Sequence, residues 1–450
     1  LLQHTRIEGA EDEFLSKLRL YILCAPHLEV GGWGNNGYVA QVAGREILVA
    51  EKGGIWLAMG SSVPFTRLSC GYVGASDGWT DLAENFQMDG EFDRATDGNI
   101  ALTAEVASSG HCEFTLALAF GQGLHDAVTA LFQGLGVPFE EQKKRYIEQW
   151  NRPCRKILPL EEISGDGGRL YLSSYSLLLS HEDKTFPGAL IASLSIPWGE
   201  AKGDHEMGGY HLVWTRDMVN SATGLLAAGN LDTPLRALIY LATSQQPDGG
   251  FAQNFWINGE PHWRGIQLDE VAFPILLAWR LHEAGALQDF DPYPTVLKAA
   301  AYLIRHGPAT EQERWEEASG YSPSTLASNI AALICAARLA RERGDVATAQ
   351  FMEEYADFLE CHVESWTVTN KSRLIPGSPP HYIRILPIRV DDYTPDENPN
   401  NGVFGLANRA PGARWQFHTN EIIDAGFLEL VRYGIRKAGT TLMEDSLRVV

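Results

Sequence analysis

The spacing of apolar residues changes once along this chain, near Gly123, and that change sets what it can fold into. Before it, short runs such as YVAQVAG, EILVAE, IWLAMG, IALTAEV and CEFTLALAF carry β-branched and aromatic residues. Turns rich in glycine or asparagine part them: GGWGNNG, EKGG, ASDG and ATDGN. Residues that suit a pleated surface, interrupted by residues that tolerate tight turns, predict antiparallel strands, and the spacing suits a sandwich. After it, HDAVTALFQGLG and PFEEQKKRYIEQW place apolar residues three and four apart, the second entered through Pro138.

Beyond about Leu170 nearly every regular segment reads as a helix: YLSSYSLLLS, DMVNSATGLLAAG, TPLRALIYLATSQQ, IQLDEVAFPILLAWRLHEAG, PTVLKAAAYLIRHG, STLASNIAALICAARLARERG, ATAQFMEEYADFLECHV and NEIIDAGFLELVRYG. Several stop at glycine, which relieves the strained residue after a helix end. The loops between them alternate between short ones and long ones rich in Trp, Asp, Glu, Arg and Gly. Helices with elaborate loops on one side predict an α-toroid whose loops build a site. The expected division is an antiparallel β-sandwich over 1–122, a helical linker over 123–169, and a helical domain over 170–450.

A chain of 450 residues is too long for one ordinary core, in keeping with that division. Its 57 acidic and 36 basic residues give a net charge of −21, which repels phosphate backbones and anionic lipid. Nucleic acid and membrane are therefore not expected partners, whereas a neutral sugar is compatible. No run reaches the ~18 to 20 consecutive apolar residues of a membrane span. LRLYILCAP is short and follows an acidic run, so it reads as a strand and not as a signal peptide. Cys24, Cys70, Cys112, Cys154, Cys335 and Cys361 lie far apart without metal spacing and read as buried thiols. They leave secreted and cytoplasmic locations both open. The chain starts at Leu1 within what reads as a running element and stops at Val450 inside MEDSLRVV, so it reads as a piece cut at both ends.

Two loop segments hold most of the candidate chemistry. In GGYHLVWTRDM, residues 208–218, Arg216 and Asp217 stand side by side before a helix start, with Tyr210 and Trp214 close by. A guanidinium donates and a carboxylate accepts hydrogen bonds, so together they can grip vicinal hydroxyls while the rings face a pyranose. The same residues also fit an N-capping Asp with a surface ion pair. In ERWEEASGYSPSTLA, residues 313–327, Glu316 and Glu317 follow Trp315. Carboxylates are what acid-catalysed glycosidic cleavage requires, but sequence neighbours point in different directions. One as acid and one as hydroxyl ligand is the natural division; a solvated pair at a helix start is the alternative. Between these segments, Phe255, Trp256, Trp263, Asp269 and Glu270 offer aromatic platforms and polar groups, equally compatible with a sugar site and with toroid core.

Taken together, GGYHLVWTRD, PHWRGIQLDE and RWEEASGYSPST resemble the site segments of the bacterial glucoamylase/glucodextranase family, glycoside hydrolase family 15. GWGNNGYVAQVAGREILVA and VPFTRLSCGYVGASDGWTDL resemble its N-terminal supersandwich domain. The resemblance runs from about Leu18 to Val450. It implies a partial supersandwich followed by an incomplete (α/α)6 catalytic toroid lacking its last helices. It further implies an inverting exo-hydrolase, without cofactor or metal, releasing β-D-glucose from nonreducing ends of an α-glucan or oligosaccharide. Glu316 becomes the general acid, and Glu317, Arg216 and Asp217 become ligands of sugar hydroxyls. Tyr210 would sit near the oxocarbenium ion, Trp214 would face the sugar, and Trp263 and Trp315 would be subsite walls. The family's general base finds no counterpart; Glu421 resembles an earlier family segment, and the base is expected beyond Val450. The alternative readings are a family-related glucan transferase or trehalase, a sugar phosphorylase on the same scaffold, and an inactive carbohydrate-binding fragment.

Overall fold

The computed structural model describes residues 1–8, 17–107, 113–194, 209–375, 377–392, 396–407 and 409–450; Cys112 and Gly208 fall outside them. The chain divides into two compact units, 1–155 with 195–211, and 156–194 with 212–450.

Among the described residues the first unit holds nine antiparallel strands in two sheets. β1 (Leu2–Arg6), β3 (Asn35–Val42), β4 (Arg45–Lys52), β5 (Ile55–Ser61), β7 (Arg94–Gly98) and β9 (Glu113–Gly121) form one, in the order β1-β9-β5-β4-β3-β7. β2 (Leu20–Cys24), β6 (Phe65–Tyr72) and β8 (Ile100–Val106) form the other, in the order β2-β8-β6. Leu48 and Ala50 of β4, with Leu57 and Met59 of β5, share a core with Cys70, Ile100 and Leu102 of the second sheet. Their neighbours Ile47, Val49 and Ala58 point the other way, onto Ala127, Val128 and Leu131 of a helix. Burial on both faces explains why β4 reads as the unbroken apolar run ILVA instead of alternating. The sandwich and the helices after Gly123 are as the sequence predicts. The ASDG turn is a difference: Asp77 caps helix α1 (Gly78–Asn85), its side chain accepting the Thr80 N–H at 2.9 Å. The covering helix, α2 (Leu124–Leu135), and α3 (Phe139–Cys154) both group with this unit.

The second unit is helical: α4 (Arg169–Ser180), α5 (Thr215–Ala227), α6 (Asp232–Ser244), α7 (Leu268–Glu283), α8 (Tyr293–His306), α9 (Pro323–Glu342), α10 (Val346–Thr367), α11 (Leu428–Arg432) and α12 (Thr441–Val449). α5, α7, α9 and α11 touch in sequence as an inner row, while α4, α6, α8 and α10 pack outside it, each on its inner neighbours. This alternation is the toroid arrangement the loop pattern predicts. α9 is long and apolar enough to cross a membrane by length and composition, but 78% of its apolar window is buried inside the protein. It is a core helix, apolar all round because neighbours surround it.

The segment NEIIDAGFLELVRYG departs from its predicted continuous helix. It forms two single 3-10 turns, Thr419–Glu421 and Ala425–Phe427, before the short α11. Glu421 turns back to accept the His418 N–H at 3.0 Å, and Asp424 accepts the Gly426 N–H at 2.9 Å. Side chains that bind nearby backbone in this way compete with helix propagation.

Candidate active site

The long loops enter the inner helices from one end, so the first turns of α5, α7 and α9 stand beside one another. Their unpaired N–H groups carry partial positive charge, which suits the carboxylates Asp217, Asp269 and Glu270 in those turns. Val213 and Phe255 exchange backbone hydrogen bonds of 2.9 Å each, which ties the entry to α5 against the 253–263 hairpin. Trp214 thereby meets Trp263 edge to face, with centroids 6.1 Å apart. Trp214 is buried, whereas Trp263 is 41% exposed and stacks on His262 at 5.5 Å.

Arg216 is not a surface residue. One of its guanidinium nitrogens donates to Asp269 at 2.7 Å and to Gln267 at 2.8 Å, and another to the Arg314 carbonyl at 3.3 Å. Glu270 lies 3.8 Å from it. Burial works against the charge on Arg216, but Asp269 and Glu270 more than offset this and raise its pKa. Asp217 does not cap α5: Trp214 is the N-cap, and among the described residues no side chain closes that end. Asp217 is open to a cavity while protein crowds its other sides. This loss of water pushes its carboxyl pKa up, opposed by Arg216. Glu270 is almost fully buried and its carboxyl rises well above the usual range, because dehydration outweighs the pull of Arg216.

The second loop is folded around Glu313, which is fully buried. Glu313 accepts the Trp315 N–H at 2.9 Å and an Arg384 N–H at 2.6 Å, and its carbonyl accepts the Glu316 N–H at 2.7 Å. The tight turn leaves Glu316 at φ 62, left-handed backbone that a glutamate adopts only when surroundings enforce it. Its carboxylate Oε1 receives two donors, the Trp214 indole at 2.9 Å and the Gln267 amide at 3.0 Å. Glu317 points elsewhere, accepting from Arg384 and from the Ala407 N–H at 2.7 Å. The two glutamates thus form neither a solvated pair nor a helix start, since α9 begins only at Pro323. The Trp315 indole donates to Asp424 at 2.7 Å, leaving its ring half exposed.

Arg216, Asp217 and Trp315 line one cavity of about 330 Å³, together with Asp269, Phe273 and Arg314. Glu316, Trp214 and Trp263 converge next to these residues through the chain Trp214–Glu316–Gln267–Arg216. Glu317 is joined to the same loop through Arg384, away from that chain. Tyr210 belongs to the 195–211 segment, which groups with the first unit. Trp256 packs edge-on against His262, and Phe255 is core. Gln267, Glu313, Arg384 and Asp424 are missing from the sequence-based site. Gln267 shows one signal, a polar residue at a helix entry beside Asp269. Arg384 shows none, because it reaches Glu313 across 71 residues of sequence. Among the described residues no cluster of three His, Cys, Asp or Glu is arranged to hold a metal ion.

A family model described as glucodextranase, domain N, matches residues 1–154, and one described as glycosyl hydrolases family 15 matches residues 165–446. The chain is 38% identical over 453 residues to a glucoamylase of Clostridium sp. (strain G0005), covering all of this chain and 61% of that protein. Over 134 residues it is 31% identical to an uncharacterized glycosyl hydrolase of Methanocaldococcus jannaschii, covering 28% of this chain and 21% of that one. Among solved structures, a bacterial glucoamylase complexed with acarbose matches with a TM-score of 0.85 at 38% identity. That match covers 96% of this chain and 61% of the other. The chain therefore spans 61% of the length of the glucoamylase relative it matches throughout.

Proposed function

Because the chain belongs to glycosyl hydrolases family 15, we propose that it carries the acid side of an inverting exo-glycosidase. The substrate is an α-linked glucan or oligosaccharide, attacked at its nonreducing end as in glucoamylases or glucodextranases. In this reading 1–122 is a supporting β-domain, 123–169 connects it, and 170–450 is catalytic. The observation that supports it most is the placement of Glu316, held by Trp214 and Gln267 beside a cavity lined by Arg216, Asp217 and Trp315.

Glu316 gives its proton to the glycosidic oxygen as the bond to the anomeric carbon breaks. Water activated by a second carboxylate attacks from the opposite face, which inverts the centre and yields β-glucose. Asp217 accepts sugar hydroxyls, while Arg216 orients the acid and Asp269 keeps Arg216 in place. Glu317 acts as a further sugar contact, and the rings of Trp214, Trp263 and Trp315 cover the apolar sugar faces.

The test is proton NMR of the first sugar released by the full-length protein from malto- and isomalto-oligosaccharides. β-Glucose formed first is expected; α-glucose formed first would mean a retaining reaction and would end this reading. Glu316→Gln should lower turnover ~100-fold to 10,000-fold with the melting temperature retained.

A further inference from the structure

Gln267 stands at the N-cap of α7, is almost wholly buried, and lies between two charged groups. Its amide is an ambidextrous side chain, with one end accepting and the other donating. Arg216 removes the choice. A guanidinium only donates, and Arg216 is already held by Asp269 and the Arg314 carbonyl, so the Gln267 oxygen must face it, at 2.8 Å. The amide nitrogen is then turned toward Glu316 and donates to Oε1 at 3.0 Å. The Trp214 indole, which also can only donate, meets the same oxygen at 2.9 Å. Oε2 has no hydrogen-bond partner among the described residues.

Two obligate donors on one carboxyl oxygen settle where a proton can sit. A proton on Oε1 would face two N–H groups; a proton on Oε2 leaves Oε1 as the accepting oxygen, which both donors satisfy. We propose that Gln267 is a positioning residue that transmits the fixed orientation of Arg216 to Glu316 and assigns the transferable proton to Oε2. This inference rests on the reading of Glu316 as the general acid. When the Oε2–H bond breaks, the proton passes to the departing glycosidic oxygen and Glu316 becomes a carboxylate. Its Oε1 keeps both donors, whose bonds strengthen as charge arrives, so Gln267 favours the reacted state over the ground state. Arg216 and the acid are thus one connected unit, and a displaced Arg216 also misaligns the proton.

The test is Gln267→Met in the full-length protein, which keeps side-chain length and removes both hydrogen bonds. On a maltooligosaccharide, whose leaving group needs a proton, kcat should fall roughly 10- to 100-fold, the scale of a misplaced catalytic group. On a nitrophenyl α-glucoside, which departs as a stable anion, the loss should stay under about threefold. Equal losses on both substrates, or none, would overturn the proposal, since a merely structural role cannot depend on the leaving group. Failure of the functional reading looks different, because the unaltered protein would then cleave neither substrate or would release α-glucose first. In that event the Trp214 indole N–H resonance of 15N-labelled protein decides. Gln267→Met and Glu316→Gln should both shift it, and an unmoved resonance in Gln267→Met would refute the connection.

Discussion

Arg216 and Asp269 form an ion pair of 2.7 Å with little access to water, linking the first turns of α5 and α7. Sequence places these residues 53 apart. Arg216 and Asp217 of the WTRD segment line the same cavity, and Arg216 is at the same time bound to Asp269 and Gln267.

Breaking that pair from one side should be costly. Arg216→Met leaves Asp269 as a buried charge without its partner, and stability should fall by ~3 to 5 kcal/mol. Adding Asp269→Asn should recover part of the loss by removing the stranded charge. Urea unfolding of the single and double variants checks both statements; additive losses would mean that the pair is not coupled.

Asp217→Asn should leave the melting temperature unchanged, because the side chain closes no helix end. If it grips a sugar hydroxyl, the lost charge-assisted bond is worth ~1.5 to 3 kcal/mol, or roughly a 10- to 100-fold fall in kcat/KM. Steady-state kinetics beside a thermal melt separate the two roles. Unaltered kinetics would remove Asp217 from the pocket chemistry.

Glu270 gives a prediction about pH. Both of its carboxyl oxygens are buried without hydrogen-bond partners among the described residues, and its pKa is raised well above the ordinary 4.5 by burial. Within the window above 4.5 the folded protein holds a proton that the unfolded chain releases. Unfolding free energy from this group therefore declines as pH rises through that window. Glu270→Gln should remove the decline and be the more stable form at neutral pH. Denaturant midpoints of both proteins from about pH 4.5 to 7.5 would show the curves diverging; parallel curves would mean Glu270 is ionised throughout.

Gly320 anchors the acid loop. A Cβ there would stand 2.0 Å from the Leu386 carbonyl, at φ +146, where other residues are strained. Gly320→Ala should destabilise by about 1 to 3 kcal/mol and disturb turnover, because Gly320 ends the loop that carries Glu316. A melting temperature within error of the parent would show the backbone yielding without cost.

Much of the fold is written locally. The period-two runs and Gly/Asn turns of the first part, and the three-and-four spacing beyond Leu170, determine strands and helices through backbone preference and one-sided burial. The segments carrying Arg216, Asp217, Glu316 and Trp315 are also legible, because carboxylates, guanidinium and indole rings collect in long loops. NEIIDAGFLELVRYG shows where local reading fails: its helical spacing loses to Asp424, whose side chain serves the Gly426 N–H and the Trp315 indole. What each polar group faces was likewise decided only in three dimensions. Nothing local says that Arg216 turns to Asp269, that Gln267 reaches Glu316, or that Arg384 holds Glu313 and Glu317. Hydrogen bonds and ion pairs depend on distances of about 3 Å between atoms, and chain order does not encode such distances between segments that only packing brings together.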